Sequence, residues 1–205
     1  LDVEFLKKLV ALPVEAEWLQ HPGRLKLLSD VPDRVPAAVL VLFRLKGSDA
    51  GPDSVEILLT RRASHLQTHA GQIAFPGGMM DPEDQHDPVC AAIRECHEEV
   101  GIQVPRQQSL GLLPSVPTVS GNFIVHPVVA WTTVGENSLT KPEQFFTLSE
   151  EVDLAEWVSV QELRQTRQIE NDRPVFLWNG EKMWGVSAWI FDLIHRRCGT
   201  LGLYE

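Results

Sequence analysis

The sequence predicts an α/β fold: a mixed β-sheet with helices packed on both faces. Three observations carry this expectation. Residues 37–43 are apolar without interruption, the pattern of a strand buried on both sides. Across residues 88–100, apolar side chains recur in steps of three and four, as on a helix with one buried stripe. Strand and helix segments interleave along the chain without strict alternation, which points to a mixed sheet.

At the start, Phe5, Leu6, Leu9 and Val10 predict a short amphipathic helix. Residues 12–36 carry four prolines and read as an irregular arm. The first strand covers 37–45. Turn formers crowd 47–54, so a hairpin leads into a second strand at 55–60. Residues 72–75 form a short strand, and Pro76-Gly77-Gly78 is expected to turn. Asp87 is an N-cap and Pro88 a first helical residue, so a helix runs to Val100 and stops at Gly101. Further strands are expected at 109–113, 124–132, 156–159 and 175–178, with a short helix at 160–166. A closing helix at 184–197 sets Val186, Trp189, Ile190 and Ile194 on one side. Trp131, Trp157, Trp178, Trp184 and Trp189 are expected in the core.

The 205 residues suit one domain. Residues 1–36 form a helix and arm that pack on that domain or on the second subunit of a homodimer. Residues 37–197 are the domain itself, and 198–205 a tail. Hydrophobic residues make up 43% and charged residues 22%, which excludes a disordered chain or a coiled coil. No apolar run approaches the ~18 residues of a membrane helix. With 18 basic and 28 acidic residues, the net charge of −10 argues against general binding to nucleic acid. Cys90, Cys96 and Cys198 fit no zinc spacing and are expected to be reduced. With no secretory signal visible, a cytoplasmic protein is expected.

The chemistry concentrates on the helix at 88–100. Val89, Ile93, Cys96 and Val100 form its buried stripe, while Glu95, Glu98 and Glu99 share another face. Three like charges repel, and they sit near the negative end of the helix dipole. A solvated acidic face would be the plain reading of glutamates alone. Their position instead favours a divalent cation with oxygen ligands, Mg²⁺ or Mn²⁺. Arg94 adjoins the cluster and can orient a carboxylate.

Phe75-Pro76-Gly77-Gly78, followed by Arg94-Glu95-Cys96-His97-Glu98-Glu99-Val100-Gly101-Ile102, resembles the Nudix box, REUxEExGU with U aliphatic. Cys96 fills an aliphatic slot. Asp84, with Glu83 beside it, aligns with the first acid of the box. Nine residues separate it from Arg94, rather than the usual seven. Residues 58–78, LLTRRASHLQTHAGQIAFPGG, resemble the signature LLTxRxxxLxxHxGQxxFPGG of the coenzyme A diphosphatase branch. Thr118, Ser120-Gly121, Pro127-Val128-Val129, Glu151-Val152 and Trp184-Gly185-Val186-Ser187-Ala188 resemble its downstream pattern. The likeness covers roughly residues 37–190.

The resemblance implies an α/β/α sandwich and a metal-dependent diphosphatase acting on a small nucleotide. In the coenzyme A branch the products are adenosine 3′,5′-bisphosphate and 4′-phosphopantetheine, or its acylated form. Glu95 and Glu99 would be the principal metal ligands, with Glu98 a further ligand or a base. Glu151, or else Glu150, would be the base from a later loop. Gly77 and Gly78 would let backbone approach metal or phosphate. Arg62 would grip a 3′-phosphate. His69 would contact phosphate or, like Gln72, brace the loop. The rival readings are a Nudix enzyme for ADP-ribose, a dinucleotide or a triphosphate, and a Nudix-fold binding module without turnover.

Overall fold

The computed structural model describes residues 2–13, 33–46, 55–118, 121–133 and 146–202. Its centre is an eight-stranded mixed sheet. Strand β1 (Val35–Leu45) runs parallel to β7 (Phe123–Trp131), with Ala38 opposite His126 and Leu42 opposite Ala130. On its other side β1 pairs with β2 (Val55–Arg62) near one end and with β4 (Gly77–Met79) near the other. Strand β3 (Ile73–Ala74) and β8 (Val152–Ser159) pair with β2, while β5 (Ser109–Leu112) and β6 (Val116–Pro117) pair with β7.

The sheet is covered on both faces, as expected. On one face lies helix α1 (Val3–Ala11), where Leu6 and Leu9 pack with Val41, Phe43, Ile57 and Val129. Helix α2 (Pro88–Val100) covers the other, where Cys96 and Ala92 pack with Leu40, Leu42, Leu58 and Val128. Alternate residues of β1 therefore enter two different cores, which is why its sequence is apolar throughout. The short helix α3 (Val160–Gln165) follows β8. A small antiparallel sheet of β9 (Gln168–Glu170), β10 (Arg173–Trp178) and β11 (Glu181–Met183) joins the first core through Phe176, Trp178 and Met183. Helix α4 (Gly185–Thr200) closes that side. Its buried Arg197 donates to the carbonyls of Leu9, Val10 and Leu12, which satisfies the free end of α1.

Several expectations change. Strand β1 starts at Val35, inside the expected arm, because β7 pairs with it from Phe123 onward. Helix α4 extends to Thr200, beyond the expected end at 197. Gly77-Gly78 is not a turn but strand β4, narrow enough to slide between β1 and α2. Trp184 is 51% exposed, since it precedes α4 instead of lying on its packed side. Of the expected arm, residues 14–32 lie outside the described residues, as do the hairpin loop at 47–54 and Ser120.

Candidate active site

Helix α2 begins and ends as its sequence dictates. Asp87 accepts from the Val89 N–H at 2.9 Å, and Gly101 takes a left-handed φ of 78° at the stop. Beyond it the chain returns: Thr147 N–H donates to the Val100 carbonyl and Ser149 N–H to that of Glu99. These bonds close the helix end and carry Glu151 back to the site.

The two glycines fit the carboxylates closely. Gly77 N–H donates to Glu99 Oε2 at 3.1 Å. A side chain at Gly78 would place its first carbon 2.6 Å from the Glu95 carboxylate. One at Gly77 would overlap the Ala38 carbonyl. Glu95 and Glu99, one helical turn apart, thus face β4 as a partly buried pair.

Arg94 organises the rest. Its Nε and Nη2 grip both oxygens of Asp84 at 3.1 and 2.9 Å. Nη1 donates to Glu95 at 2.9 Å and Glu98 at 3.0 Å, and Nη2 also reaches the Met79 carbonyl. Asp84, not the exposed Glu83, is the buried acid. The hydrogen bond from Arg94 holds its carboxyl below the ordinary range. Sequence spacing left this role open, and only the pairing settles it.

Arg62 comes from the end of β2. Its Nη1 is 3.9 Å from Glu99 Oε1, and its Nη2 is 3.4 Å from Glu151 Oε2. Glu151 is exposed, and its backbone carbonyl accepts from Ala63. His69 sits apart on an exposed turn with φ 57°, its carbonyl accepting from Gln72 N–H. Gln72 in turn accepts from Arg62 N–H through its own carbonyl. The structure therefore brings together Arg62, Gly77, Gly78, Arg94, Glu95, Glu98, Glu99 and Glu151, while His69 acts on the loop through its backbone.

A family model for the NUDIX domain matches residues 33–178, more than half of the chain. The chain belongs to the Nudix family of hydrolases. It is 35% identical over 176 residues to the uncharacterized Nudix hydrolase NudL of Photorhabdus laumondii, covering 84% of this chain and 88% of that one. It is 34% identical over 137 residues to the peroxisomal coenzyme A diphosphatase ndx-8 of Caenorhabditis elegans, covering 64% of this chain and 53% of that one. A MutT/nudix family protein from Enterococcus faecalis shares the fold with TM-score 0.56 at 13% identity, over 98% of this chain and 75% of that one. The NUDIX domain of Shewanella oneidensis NrtR does so with TM-score 0.55 at 16% identity, over 90% and 99%.

Electrostatics make the Nudix helix a strained acid cluster. Burial pushes the Glu99 carboxyl up to about 7, against its Gly77 hydrogen bond and with added repulsion from Glu95. Burial also raises Glu95, while Arg94 opposes the shift. Among the described residues no three carboxylate, imidazole or thiol groups converge in metal geometry. Glu98 points to Arg94, and Arg62 lies against Glu99. The donor set nonetheless fits a hard cation. It consists of oxygens, two of its carboxylates are poorly solvated, and β4 leaves room beside them for no side chain.

Proposed function

We propose that this Nudix hydrolase cleaves the diphosphate of coenzyme A or an acyl derivative, giving adenosine 3′,5′-bisphosphate and (acyl-)4′-phosphopantetheine. One observation carries the reading. The segment that resembles the coenzyme A branch, residues 58–78, delivers Arg62, Gly77 and Gly78 directly onto the Glu95 and Glu99 carboxylates. The likeness to the nematode coenzyme A diphosphatase supports it.

Glu95 and Glu99 would hold Mg²⁺ or Mn²⁺, with Glu98 available once Arg94 shares it. The cation would supply charge neutralisation at the diphosphate and a more acidic water. Arg94, locked by Asp84, fixes the Glu95 and Glu98 carboxylates in place. Arg62 offers its guanidinium to phosphate oxygens on the β2 side. Glu151, exposed at that side, takes the proton from the attacking water as a P–O bond to the bridging oxygen breaks; Glu98 is the alternative base. The free thiols Cys90, Cys96 and Cys198 support a reducing compartment such as the cytoplasm. Among the described residues no helix is long and apolar enough to cross a membrane.

The test is a product assay of the purified protein with Mg²⁺ or Mn²⁺ on coenzyme A, 3′-dephospho-coenzyme A, ADP-ribose and a set of triphosphates. Coenzyme A is expected to give the highest kcat/KM. Preference for ADP-ribose or a triphosphate overturns the coenzyme A reading, and absence of turnover on every substrate makes the protein a binding module.

A further inference from the structure

Ser115 and His126 form a hydrogen-bonded pair, Oγ to Nδ1 at 2.8 Å, that the hydrolytic residues do not use. His126 stands on β7 opposite Ala38 of β1, and Ala38 stands opposite Gly78 of β4. Val128 and Ala130 of β7 pack beneath α2, whereas Val125 and Val129 enter the opposite core. Alternation along the strand therefore puts His126 on the α2 face, in one cross-strand row with Ala38 and Gly78. Two strand spacings, about 10 Å, separate it from Gly78, where the Glu95 carboxylate lies. Arg62 lies on the other side of the carboxylates, against Glu99. Across the sheet the order is Arg62, Glu99, Glu95, His126.

The two ends differ in chemistry. Arg62 is a fixed cation. His126 is half-buried, and burial lowers its pKa, so the imidazole is neutral at pH 7. Ser115 occupies Nδ1, and among the described residues Nε2 has no partner. A neutral ring with one nitrogen fixed suits an amide or hydroxyl better than a phosphate.

We propose that His126, positioned by Ser115, binds the pantetheine arm of coenzyme A through Nε2, while Arg62 faces the nucleotide half. This rests on the coenzyme A reading above. The hydroxyl and first amide of that arm stand only a few bonds from the diphosphate, a reach comparable to the spacing between Gly78 and His126. The row thereby fixes the substrate's orientation across the sheet, and His126 selects for an uncharged, hydrogen-bonding arm. Ser115 is a positioning residue.

The test compares wild type with His126→Ala, His126→Gln and Ser115→Ala in Mg²⁺. It reads steady-state kinetics on coenzyme A, and calorimetric binding of 4′-phosphopantetheine and of adenosine 3′,5′-bisphosphate. His126→Ala is expected to raise KM about tenfold with little change in kcat, and to weaken 4′-phosphopantetheine by a similar factor. Binding of the bisphosphate stays as in wild type. His126→Gln, whose amide reaches the same place, recovers part of the loss, and Ser115→Ala shows a smaller loss in the same direction. Unchanged KM, or equal weakening of both product halves, in a variant that melts like wild type overturns the proposal and leaves the coenzyme A reading standing. If His126→Ala does not fold, unaltered 4′-phosphopantetheine binding in Ser115→Ala overturns it. Wild-type protein that fails to cleave coenzyme A removes the reading and this proposal together.

Discussion

Replacing Glu99 with Gln is expected to stabilise the metal-free protein, by an amount that grows with pH. Glu99 is 7% exposed, and burial raises its pKa from 4.5 to about 7. A carboxyl raised in this way binds its proton more tightly folded than unfolded. Its ionisation therefore costs stability fully above pH 7, less as pH falls through 7, and almost nothing below 4.5. The difference, 7 − 4.5 = 2.5, at about 1.36 kcal/mol per pH unit, gives a cost of about 3 kcal/mol at pH 8. The same linkage gives about 2 kcal/mol at pH 6 and about 1 at pH 5. Gln keeps an acceptor for the Gly77 N–H and removes the charge. For a domain of this size the gain at pH 8 is roughly 6–12 °C in melting temperature. The assay is thermal unfolding in chelator at pH 5, 6 and 8, repeated with Mg²⁺. Mg²⁺ should raise the wild-type melting temperature and barely move the variant. A variant no more stable than wild type at pH 8, or equally stabilised at pH 5 and 8, refutes the view that Glu99 is a buried charge awaiting a cation. Its kcat should fall on the order of a hundredfold or more.

The two glycines should respond differently to alanine. Gly78→Ala meets the Glu95 carboxylate, a side-chain end that can be displaced from Arg94 without moving backbone, so it melts near wild type but loses roughly a hundredfold in kcat; Gly77→Ala meets the Ala38 backbone and is expected to lose about 1–3 kcal/mol of stability by denaturant unfolding. Arg94→Lys cannot hold Asp84, Glu95, Glu98 and the Met79 carbonyl together, so Mg²⁺ titration should show weaker affinity and kcat should drop at least about tenfold. Arg62→Ala, because Arg62 lies at Glu99 and not away from the carboxylates, should lower kcat/KM by roughly 1.5–3 kcal/mol on coenzyme A and 3′-dephospho-coenzyme A alike. A loss confined to coenzyme A would instead assign Arg62 to the 3′-phosphate.

What was legible in the sequence was what local chemistry decides. Asp87, Pro88 and Gly101 bound α2 as read, because capping is written in adjacent residues. The two-sided strand β1 followed from an unbroken apolar run. Strand β4 was not legible. Pro-Gly-Gly favours turns locally, and its pairing with β1 depends on α2 leaving a gap only glycine can fill. Strands β6, β9 and β11 are two or three residues long and carry no period to read. The acid face of α2 was legible from helical spacing, but its partition was not. Arg94 binds Glu98 outward, within the helix, while Arg62 approaches Glu99 from the end of β2, a contact between distant parts of the chain. Ser115 and His126 carried no signal, since a serine in a short connection and a polar residue within a strand both read as ordinary exposed ones.

The spacer before the catalytic helix shows how a longer motif can keep the same site. Asp84 ends a short 3₁₀ turn, Pro82–Asp84, and accepts from Asp81 N–H at 2.8 Å. Gln85 and His86 follow with left-handed φ of 54° and 60°, and Asp87 N–H then donates to the Asp84 carbonyl at 2.9 Å. Left-handed non-glycine residues cost roughly 1–2 kcal/mol each, so the surroundings must over-determine them. They do, since Asp84 is held by Arg94 on one side and Asp87 caps α2 on the other. The chain between these anchors has no extended path. The two extra residues relative to the general pattern equal in number the two left-handed ones, which reverse the chain and return it to the helix start. The longer spacer is thus folded up before α2, and Asp84 meets Arg94 across it. Spacing alone does not reveal this contact, because the left-handed pair at Gln85 and His86, and not the number of residues, sets where Asp84 lies relative to Arg94.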